Sequence, residues 1–247
     1  QREILDLLSP SSYASHHKDI ARVRLPGTWQ WVLEHAEFRS WEEGEGKALY
    51  CHGNPGSGKT VPTSRVIDHL RDTCSAQPRI GIAHIYCNFK RDGGQTADLL
   101  LASIARQLVE TLPSFPNRLQ DLHQAAGPGP QIQDTMDLLV ELLSPSNRAF
   151  IVVDALDECQ DSARRFISSL ASLRAKSRIQ VFATCRPSYK DFTNDFTNSA
   201  MLDIRAIKAD VQCYLEGNIH RLPKFVKGNH ELLEEICSSI IKAVDGI

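Results

Sequence analysis

The sequence predicts an α/β protein built on a mainly parallel sheet. Three observations carry that prediction. Short runs rich in Ile, Val and Phe alternate with amphipathic helical stretches, the pattern of a sheet covered on both faces. A glycine-rich loop ending in Lys-Thr sits between the first apolar run and a helical segment. A later apolar run ends in an aspartate, which a parallel sheet delivers to its C-terminal edge, where ligands bind.

Residues 1–46 read as a helical lead-in. It opens on a loop, Ser9-Pro10-Ser11-Ser12, and continues into one helix around Trp29, Trp31, Val32, Leu33, Phe38 and Trp41, placed after Pro26-Gly27-Thr28. All three tryptophans lie in this short segment and are expected to pack it onto the next domain. Residues 47–205 form the core. Its strands are predicted at 48–51, 80–87, 149–153, 179–183 and 200–204. Its helices are predicted at Thr63 to Leu70, around Leu100, Ile104, Leu108 and Leu112, around Met136, Leu139 and Leu143, and around Ala163, Phe166, Leu170 and Leu173. Gly127-Pro128-Gly129-Pro130 cannot continue a helix and reads as a surface loop. Residues 206–247 are predicted helical, one helix around Asp210, Tyr214 and Ile219 and another from near Asn229 to Gly246.

Composition narrows the function. The 247 residues carry 28 basic and 30 acidic side chains, a formal net of -2, which argues against an electrostatic nucleic-acid binder. No run approaches 18 apolar residues, so no membrane span is expected. The seven cysteines are odd in number and none forms a C-x-x-C pair, so neither a disulfide framework nor a zinc site is expected. Scattered thiols fit a reducing, cytoplasmic setting. The chain begins Gln1-Arg2-Glu3-Ile4, without an initiator Met or a signal segment, and reads as a piece of a longer protein.

The strongest motif is Gly53-Asn54-Pro55-Gly56-Ser57-Gly58-Lys59-Thr60, which fits G-x-x-x-x-G-K-[ST], the phosphate-binding loop or P-loop. A chance match in a chain of this length has a probability of roughly 1%. Glycines let backbone N–H groups converge on phosphate oxygens, and the following helix N-terminus adds positive potential. Lys59 is expected to bridge the outer phosphates and the Thr60 hydroxyl to bind Mg²⁺. Pro62 falls close behind. If the helix starts at Gly58, Pro62 sits where an N–H should be bonded, and it should weaken the helix start.

The second motif is Phe150-Ile151-Val152-Val153-Asp154-Ala155-Leu156-Asp157-Glu158. Asp154 is expected to hold Mg²⁺ through water, and Asp157 or Glu158 to polarise the attacking water, with Asp157 slightly favoured. Ala155 leaves no carboxylate directly after the metal-binding Asp, so hydrolysis should be slow. The third motif, Ile179 to Pro187, ends a strand in Thr184, Cys185 and Arg186. Thr184 and Arg186 are expected to point at the γ-phosphate. His52 and His84 read as satisfied strand residues. No N-K-x-D guanine-reading motif is present, which tilts the base toward adenine.

These residues resemble a known family. Asp154-Ala155-Leu156-Asp157-Glu158 looks like the signature of the NACHT group of signal-transducing (STAND) P-loop ATPases. The longer pattern is similar to the nephrocystin-3-like N-terminal domain of fungal NLR-like proteins. It rests on Gly27-Thr28, Trp31-Val32-Leu33, Phe38 and Trp41, then Tyr86-Cys87-Asn88-Phe89-Lys90, Gln95-Thr96, Leu100-Leu101-Ala102-Ser103, Asp154 to Cys159 and Thr184-Cys185-Arg186-Pro187. The resemblance implies a three-layer P-loop NTPase with five strands in the order 5-1-4-3-2, so that the Arg186 strand lies between the P-loop strand and the Asp154 strand. It implies ATP/ADP exchange with Mg²⁺ as a switch, homo-oligomerisation in the active state, and effector and repeat domains outside this segment. Pro62 stands where an apolar helix-former is usual, Cys185 replaces the commoner Ser, and the chain stops at Asp245-Gly246-Ile247, before any winged-helix or sensor repeats.

The sequence therefore reads as an ATP-binding switch module with slow Mg²⁺-dependent hydrolysis. Two rivals remain at this level: a non-hydrolysing P-loop scaffold, and a P-loop kinase acting on a small acceptor. The kinase would need an arginine-rich lid, and the stretch from Arg174 to Arg178 is short.

Overall fold

A computed structural model describes residues 5, 8, 13–75, 77, 80–88, 95–112, 116–117, 119, 132–143, 147–159, 162–189, 196 and 199–244. Ser9–Ser12, Phe89 and Lys90, the Gly127–Pro130 loop and the helix stop at Gly246 lie outside the described residues. Among the described residues, α1 (Tyr13–Val23), α2 (Gln30–Glu34) and α3 (Ala36–Glu43) precede the sheet. Then come β1 (Ala48–His52), α4 (Thr60–Cys74), β2 (Ile80–Tyr86), α5 (Ala97–Glu110), α6 (Ile132–Leu142), β3 (Arg148–Asp154), α7 (Ser162–Lys176), β4 (Arg178–Cys185) and β5 (Ser199–Asp203). The helices α8 (Lys208–Asn218), α9 (Lys224–Lys227) and α10 (His230–Val244) complete the order.

The five strands form one sheet in the order β2-β3-β4-β1-β5, every neighbouring pair parallel. The strand of Arg186 thus lies between those of the P-loop and Asp154, as the resemblance implies. The inner strands are buried on both faces: β3 is buried from Ala149 to Asp154 and β4 from Ile179 to Cys185. Their near-continuous apolar sequence is what a doubly covered parallel strand requires.

Aromatic packing joins the lead-in to the sheet. Phe38 and Trp41 of α3 are fully buried. The Trp41 ring lies edge-on to Phe150 of β3 and Phe182 of β4, at 5.3 and 5.8 Å between centroids. Such pairs add about 0.5–1.5 kcal/mol each beyond the area they bury. The buried Gln180 amide and the Arg148 guanidinium donate to carbonyls at the end of α3, Gln180 to those of Trp41 and Glu42 and Arg148 to that of Glu42, which satisfies a helix terminus against the sheet.

The structure departs from the sequence reading at four places. The single lead-in helix is two, because His35 is extended and its Nδ1 accepts the Glu37 N–H, capping α3. The helix α1 has no counterpart in the sequence reading. Its buried residues are Tyr13 and His17, and it is fastened by polar contacts. His17 Nε2–H donates to Asp68 at 2.8 Å, Tyr86 O–H donates to His17 Nδ1 at 2.8 Å, and Arg24 pairs with Asp68 at 2.7 Å. Third, Cys87 and Cys159 are disulfide-bonded across 72 residues, correcting the expectation of unpaired thiols. Cys87 directly follows β2 and Cys159 ends the turn after β3, so two neighbouring parallel strands bring them to one sheet edge.

Fourth, Pro62 does not interrupt its helix. α4 begins at Thr60, so Pro62 lies in the first turn, whose N–H groups have no partner within a helix. The Gly58 carbonyl accepts from Val61 N and the first helical bond runs from Thr63 N to the Lys59 carbonyl. Proline there costs no hydrogen bond and narrows the unfolded ensemble. Pro62→Ala should therefore leave stability unchanged or lower it by up to ~1 kcal/mol in urea melts, with no stabilisation.

His84 of β2 is buried, and burial, with Arg71 and His17 facing it, pushes its imidazole down to about 3. A neutral His84 supports the native state above the ordinary imidazole range. As the pH falls through 6.5 the unfolded chain takes up a proton that the native state refuses, so stability drops between 6.5 and about 3. Between pH 7 and pH 5 this one group should cost about 2 kcal/mol. Urea melts of His84→Gln should show that much less acid sensitivity than the wild type.

Candidate functional site

The P-loop leaves β1 in a fixed direction. Gly53 N–H donates to the Cys185 carbonyl, extending the β1–β4 ladder by one rung, and Ser57 N–H donates to the Asn54 carbonyl, closing a turn over Pro55-Gly56. Gly56 and Gly58 both have φ of 83°, a left-handed conformation that favours glycine. A Cβ on Gly53 would collide with the Ile204 carbonyl oxygen and Ser57 Oγ. The Lys59 ammonium is folded over the loop, donating to the carbonyls of Gly53 at 2.7 Å and Asn54 at 3.1 Å. Ser57 Oγ is buried with no hydrogen-bond partner. A buried hydroxyl left unpaired costs free energy that an incoming acceptor recovers.

Asp154 ends β3 and is 3% exposed. Three threonine hydroxyls converge on its carboxylate. Thr60 donates to Oδ2 at 2.7 Å, Thr184 to Oδ1 at 2.7 Å, and Thr63 lies 2.9 Å from Oδ1. The single Thr63 hydroxyl proton is shared with the Lys59 carbonyl at 2.8 Å. Thr184 also accepts the Ala155 N–H at 2.8 Å, so the end of β4 fixes the turn that leaves β3. Ala155 takes φ of 52°, a sparsely populated conformation for a residue with a Cβ, and this turns the chain sharply into a 3₁₀ helix at Leu156–Cys159.

That short helix carries Asp157 and Glu158 to Arg186. Arg186 Nε lies 3.0 Å from Asp157 Oδ2, and the Arg186 backbone N–H donates to Asp157 Oδ1 at 3.2 Å. Both Asp157 oxygens are thus engaged. Glu158 makes only a 3.7 Å contact with the guanidinium, and its side chain is 26% exposed against 4% for Asp157. Burial, with the charge of Asp157 nearby, pushes the neighbouring Cys185 thiol up to about 11, so it stays protonated and unreactive at neutral pH.

The predicted residues therefore gather in two groups at the C-terminal edge of the sheet. Gly53 to Thr60, Asp154 and Thr184 form one, and Asp157, Glu158 and Arg186 the other, joined by Ala155. Thr184 is fully buried and its hydroxyl is committed to Asp154 and Ala155. Thr63 escapes the sequence reading because a threonine one turn into a helix carries no motif. A cleft of about 690 Å³ opens beside the loop, lined by Asn54 to Ser57 on one side and Asp203 to Lys208 on the other.

The donor set fits a phosphate chain with a divalent cation. Ser57 Oγ and the turned glycine backbone suit phosphate oxygens. The Thr60 hydroxyl gives its proton to Asp154 and so turns a lone pair to a cation. Among the described residues no group of three or more His, Cys, Asp or Glu side chains is placed to hold a metal ion. The hydroxyl cluster makes a stability prediction. Thr63→Val should cost ~1–3 kcal/mol in urea melts, and Thr184→Val more, because it also strips the Ala155 N–H. Thr63→Ser should retain most of the stability.

Comparison with known proteins places the chain. The family model described as "Nephrocystin 3, N-terminal" matches residues 27–186. The vegetative incompatibility protein HET-E-1 of Podospora anserina is 22% identical over 227 residues, which covers 86% of this chain and 16% of that protein. The chain thus spans a small part of that relative's length. Among solved structures, a Walker-type ATPase of Pyrococcus abyssi aligns with a TM-score of 0.51 at 12% identity, covering 81% of this chain and 60% of that one, a likeness of fold alone. The Aeropyrum pernix ORC1 protein, solved in complex with DNA, aligns with a TM-score of 0.49 at 13% identity, covering 88% of this chain and 54% of that one. The family match takes in the left-handed turn at Gly27, the whole P-loop, the Asp154 turn and Arg186, and the chain belongs to the nephrocystin-3 N-terminal family of NACHT-type P-loop NTPases.

Proposed function

We propose that this chain is an ATP-binding switch module with slow Mg²⁺-dependent hydrolysis. The observation that carries the reading is the joint between the P-loop and β3, where Thr60 of the loop and Asp154 of the strand are hydrogen-bonded at 2.7 Å beside a glycine-turned backbone. In this reading residues 1–46 are the lead-in, 47–205 the NTPase core and 206–247 the start of a helical subdomain. Gly53 to Thr60 hold the phosphates, and Lys59 exchanges its loop carbonyls for phosphate oxygens. Thr60 and Asp154 hold Mg²⁺, whose bound charge would offset the developing negative charge on the phosphates. The base and ribose occupy the cleft between Asn54–Ser57 and Asp203–Lys208, whose volume is in the range of small-molecule sites.

Water activation falls to Glu158 in preference to Asp157. The Asp157 carboxylate is bound on both oxygens by Arg186, whereas Glu158 is freer and more exposed. Arg186 is held by the two acids until phosphate draws it away, and Thr184 acts by aligning Asp154. A base that must be reached around the Ala155 turn is imperfectly placed and loses much of the 10²–10⁴-fold that general-base assistance supplies. Slow turnover suits a timer. Homo-oligomerisation and partner domains in a longer protein accompany this reading, the likeness to a fungal incompatibility protein being their support. The near-balanced charge supports a partner other than nucleic acid. Among the described residues no helix is long and apolar enough to cross a membrane.

The Arg186–Asp157 pair also favours a second reading, a nucleotide-binding scaffold that does not hydrolyse. Both readings require binding. At ATP-Mg²⁺ 100 times the dissociation constant, wild type should gain about 2.7 kcal/mol, a shift of ~5–10 °C in melting. Lys59→Ala should melt as the wild type does without ligand and gain nothing from ATP; an undiminished shift would rule the P-loop assignment out. Single-turnover hydrolysis separates the readings. Glu158→Gln should bind ATP normally and lose most turnover, Asp157→Asn less, and Asp154→Asn should weaken Mg²⁺-dependent binding itself. No measurable turnover in wild type, with binding intact, would favour the scaffold.

A further inference from the structure

Trp29 sits in a left-handed conformation, φ 61°, which a residue with a bulky side chain adopts only where its surroundings over-determine it. Two groups of contacts hold it. Its ring lies against the P-loop: a Cβ built on Gly58 would stand 3.1 Å from Trp29 Cζ2. Its backbone N–H donates to Asp210 Oδ1 at 2.6 Å, and the Trp31 indole N–H donates to Asp210 Oδ2 at 3.0 Å. Asp210 belongs to α8, beyond the sheet, and is 7% exposed. One carboxylate therefore ties the lead-in to the C-terminal helices with both oxygens used.

The contact is a face of α8. Asp210, Cys213 and Gly217 stand at i, i+3 and i+7, on one side of a helix. Cys213 Sγ approaches the Pro26 carbonyl at 3.6 Å, and a Cβ on Gly217 would stand 2.8 Å from Leu25 Cδ1. The turn at Leu25–Thr28, closed by the Thr28 hydroxyl on the Leu25 carbonyl at 2.8 Å, is thus clasped by α8 on one side and presents Trp29 to Gly58 on the other.

We propose that Asp210 is a positioning residue for the phosphate loop, acting through Trp29 on Gly58, so that the seating of α8 sets the shape of the loop. Gly58 precedes Lys59 and Thr60 and holds the second left-handed turn of the loop. A Trp29 ring pressed against it restrains that turn. Release of Asp210 frees the Trp29 backbone, lets its φ relax, and removes the ring from Gly58. The effect on nucleotide rests on the proposed function; the effect on the loop does not.

The test measures residue-resolved hydrogen exchange of the full chain without nucleotide at the hydrogen-bonded amides of Gly53, Ser57 and Val61. Asp210→Asn keeps an oxygen for Trp29 N–H but sets its own N–H₂ against the Trp31 indole N–H, donor against donor. The three loop amides should exchange about fivefold faster or more, while amides of β3 and β4 keep wild-type protection. Trp31→Phe removes the opposing donor, so Asp210→Asn added to Trp31→Phe should cause little further acceleration. Trp29→Phe, which keeps the backbone bond and shortens the ring, should loosen the same amides, and it decides the matter should Asp210→Asn fail to fold. Unchanged loop exchange in a folded Asp210→Asn or in Trp29→Phe overturns the proposal. A second arm titrates ATP-Mg²⁺ by calorimetry, where Asp210→Asn should bind about tenfold more weakly, equivalent to ~1.4 kcal/mol. Loop exchange that responds in a wild type that binds no nucleotide would keep the positioning role and discard the nucleotide reading.

Discussion

The cluster of hydroxyls on Asp154 is the interaction on which the site depends. A carboxylate taken out of water must be hydrogen-bonded, because the cost of an unpaired buried charge is several kcal/mol. Here the bonds come from three threonines on two elements: Thr60 and Thr63 from α4, and Thr184 from β4. Satisfying one charge therefore fixes the distance from the P-loop helix to the central strand and the register of the neighbouring strand end. Thr184 extends the constraint to Ala155, and Ala155 sets where Asp157 and Glu158 leave the sheet. The nucleotide loop and the acidic turn are parts of one hydrogen-bonded unit.

Sheet topology makes that unit possible. β4 pairs with β3 on one side and β1 on the other, so the ends of three strands converge although β1 and β3 are nearly a hundred residues apart in sequence. The helix after β1 carries the chain to the far edge at β2. Later strands fill the gap inward, and β5 closes the other side of β1. The cleft lined by Asn54–Ser57 and Asp203–Lys208 is the crevice beside the C-terminal ends of β1 and β5.

The legible parts of the fold are those held by periodic forces. The inner strands β1, β3 and β4 are buried on both faces and must be continuously apolar, and they and the less buried edge strands β2 and β5 are located from sequence within two residues of their ends. Gly53 to Thr60 and Asp154 are visible because the P-loop motif and the apolar strand ending in an acid have a fixed residue type and spacing. Contacts made by single polar side chains leave no period. α1 is held by His17, Arg24 and Asp68, and its core-facing side, Tyr13, His17 and Ile20, is short and has a histidine at its centre, so it is easily passed over. The break at His35 depends on an imidazole acting as a cap, a role that is ordinarily filled by Ser, Thr, Asp or Asn. The Cys87–Cys159 pair, the Thr63 contact and the Asp157–Arg186 pairing each join residues that only the strand order brings together. The penalty expected at Pro62 holds only for a helix that starts at Gly58; α4 starts at Thr60, where residue 62 needs no N–H.

The family match offers a last constraint. It begins at residue 27, well before the P-loop, and ends at Arg186, short of β5 and α8. The matched segment thus contains Trp29 and the second half of the turn that presents it to Gly58 but excludes the carboxylate bonded to the Trp29 N–H. A residue at positive φ carries a conformational penalty, and it keeps that conformation only while an outside contact offsets the cost. For Trp29 that contact lies on α8, through Asp210. The loop side of the joint therefore lies within the matched span, while its tension is set by a helix outside it.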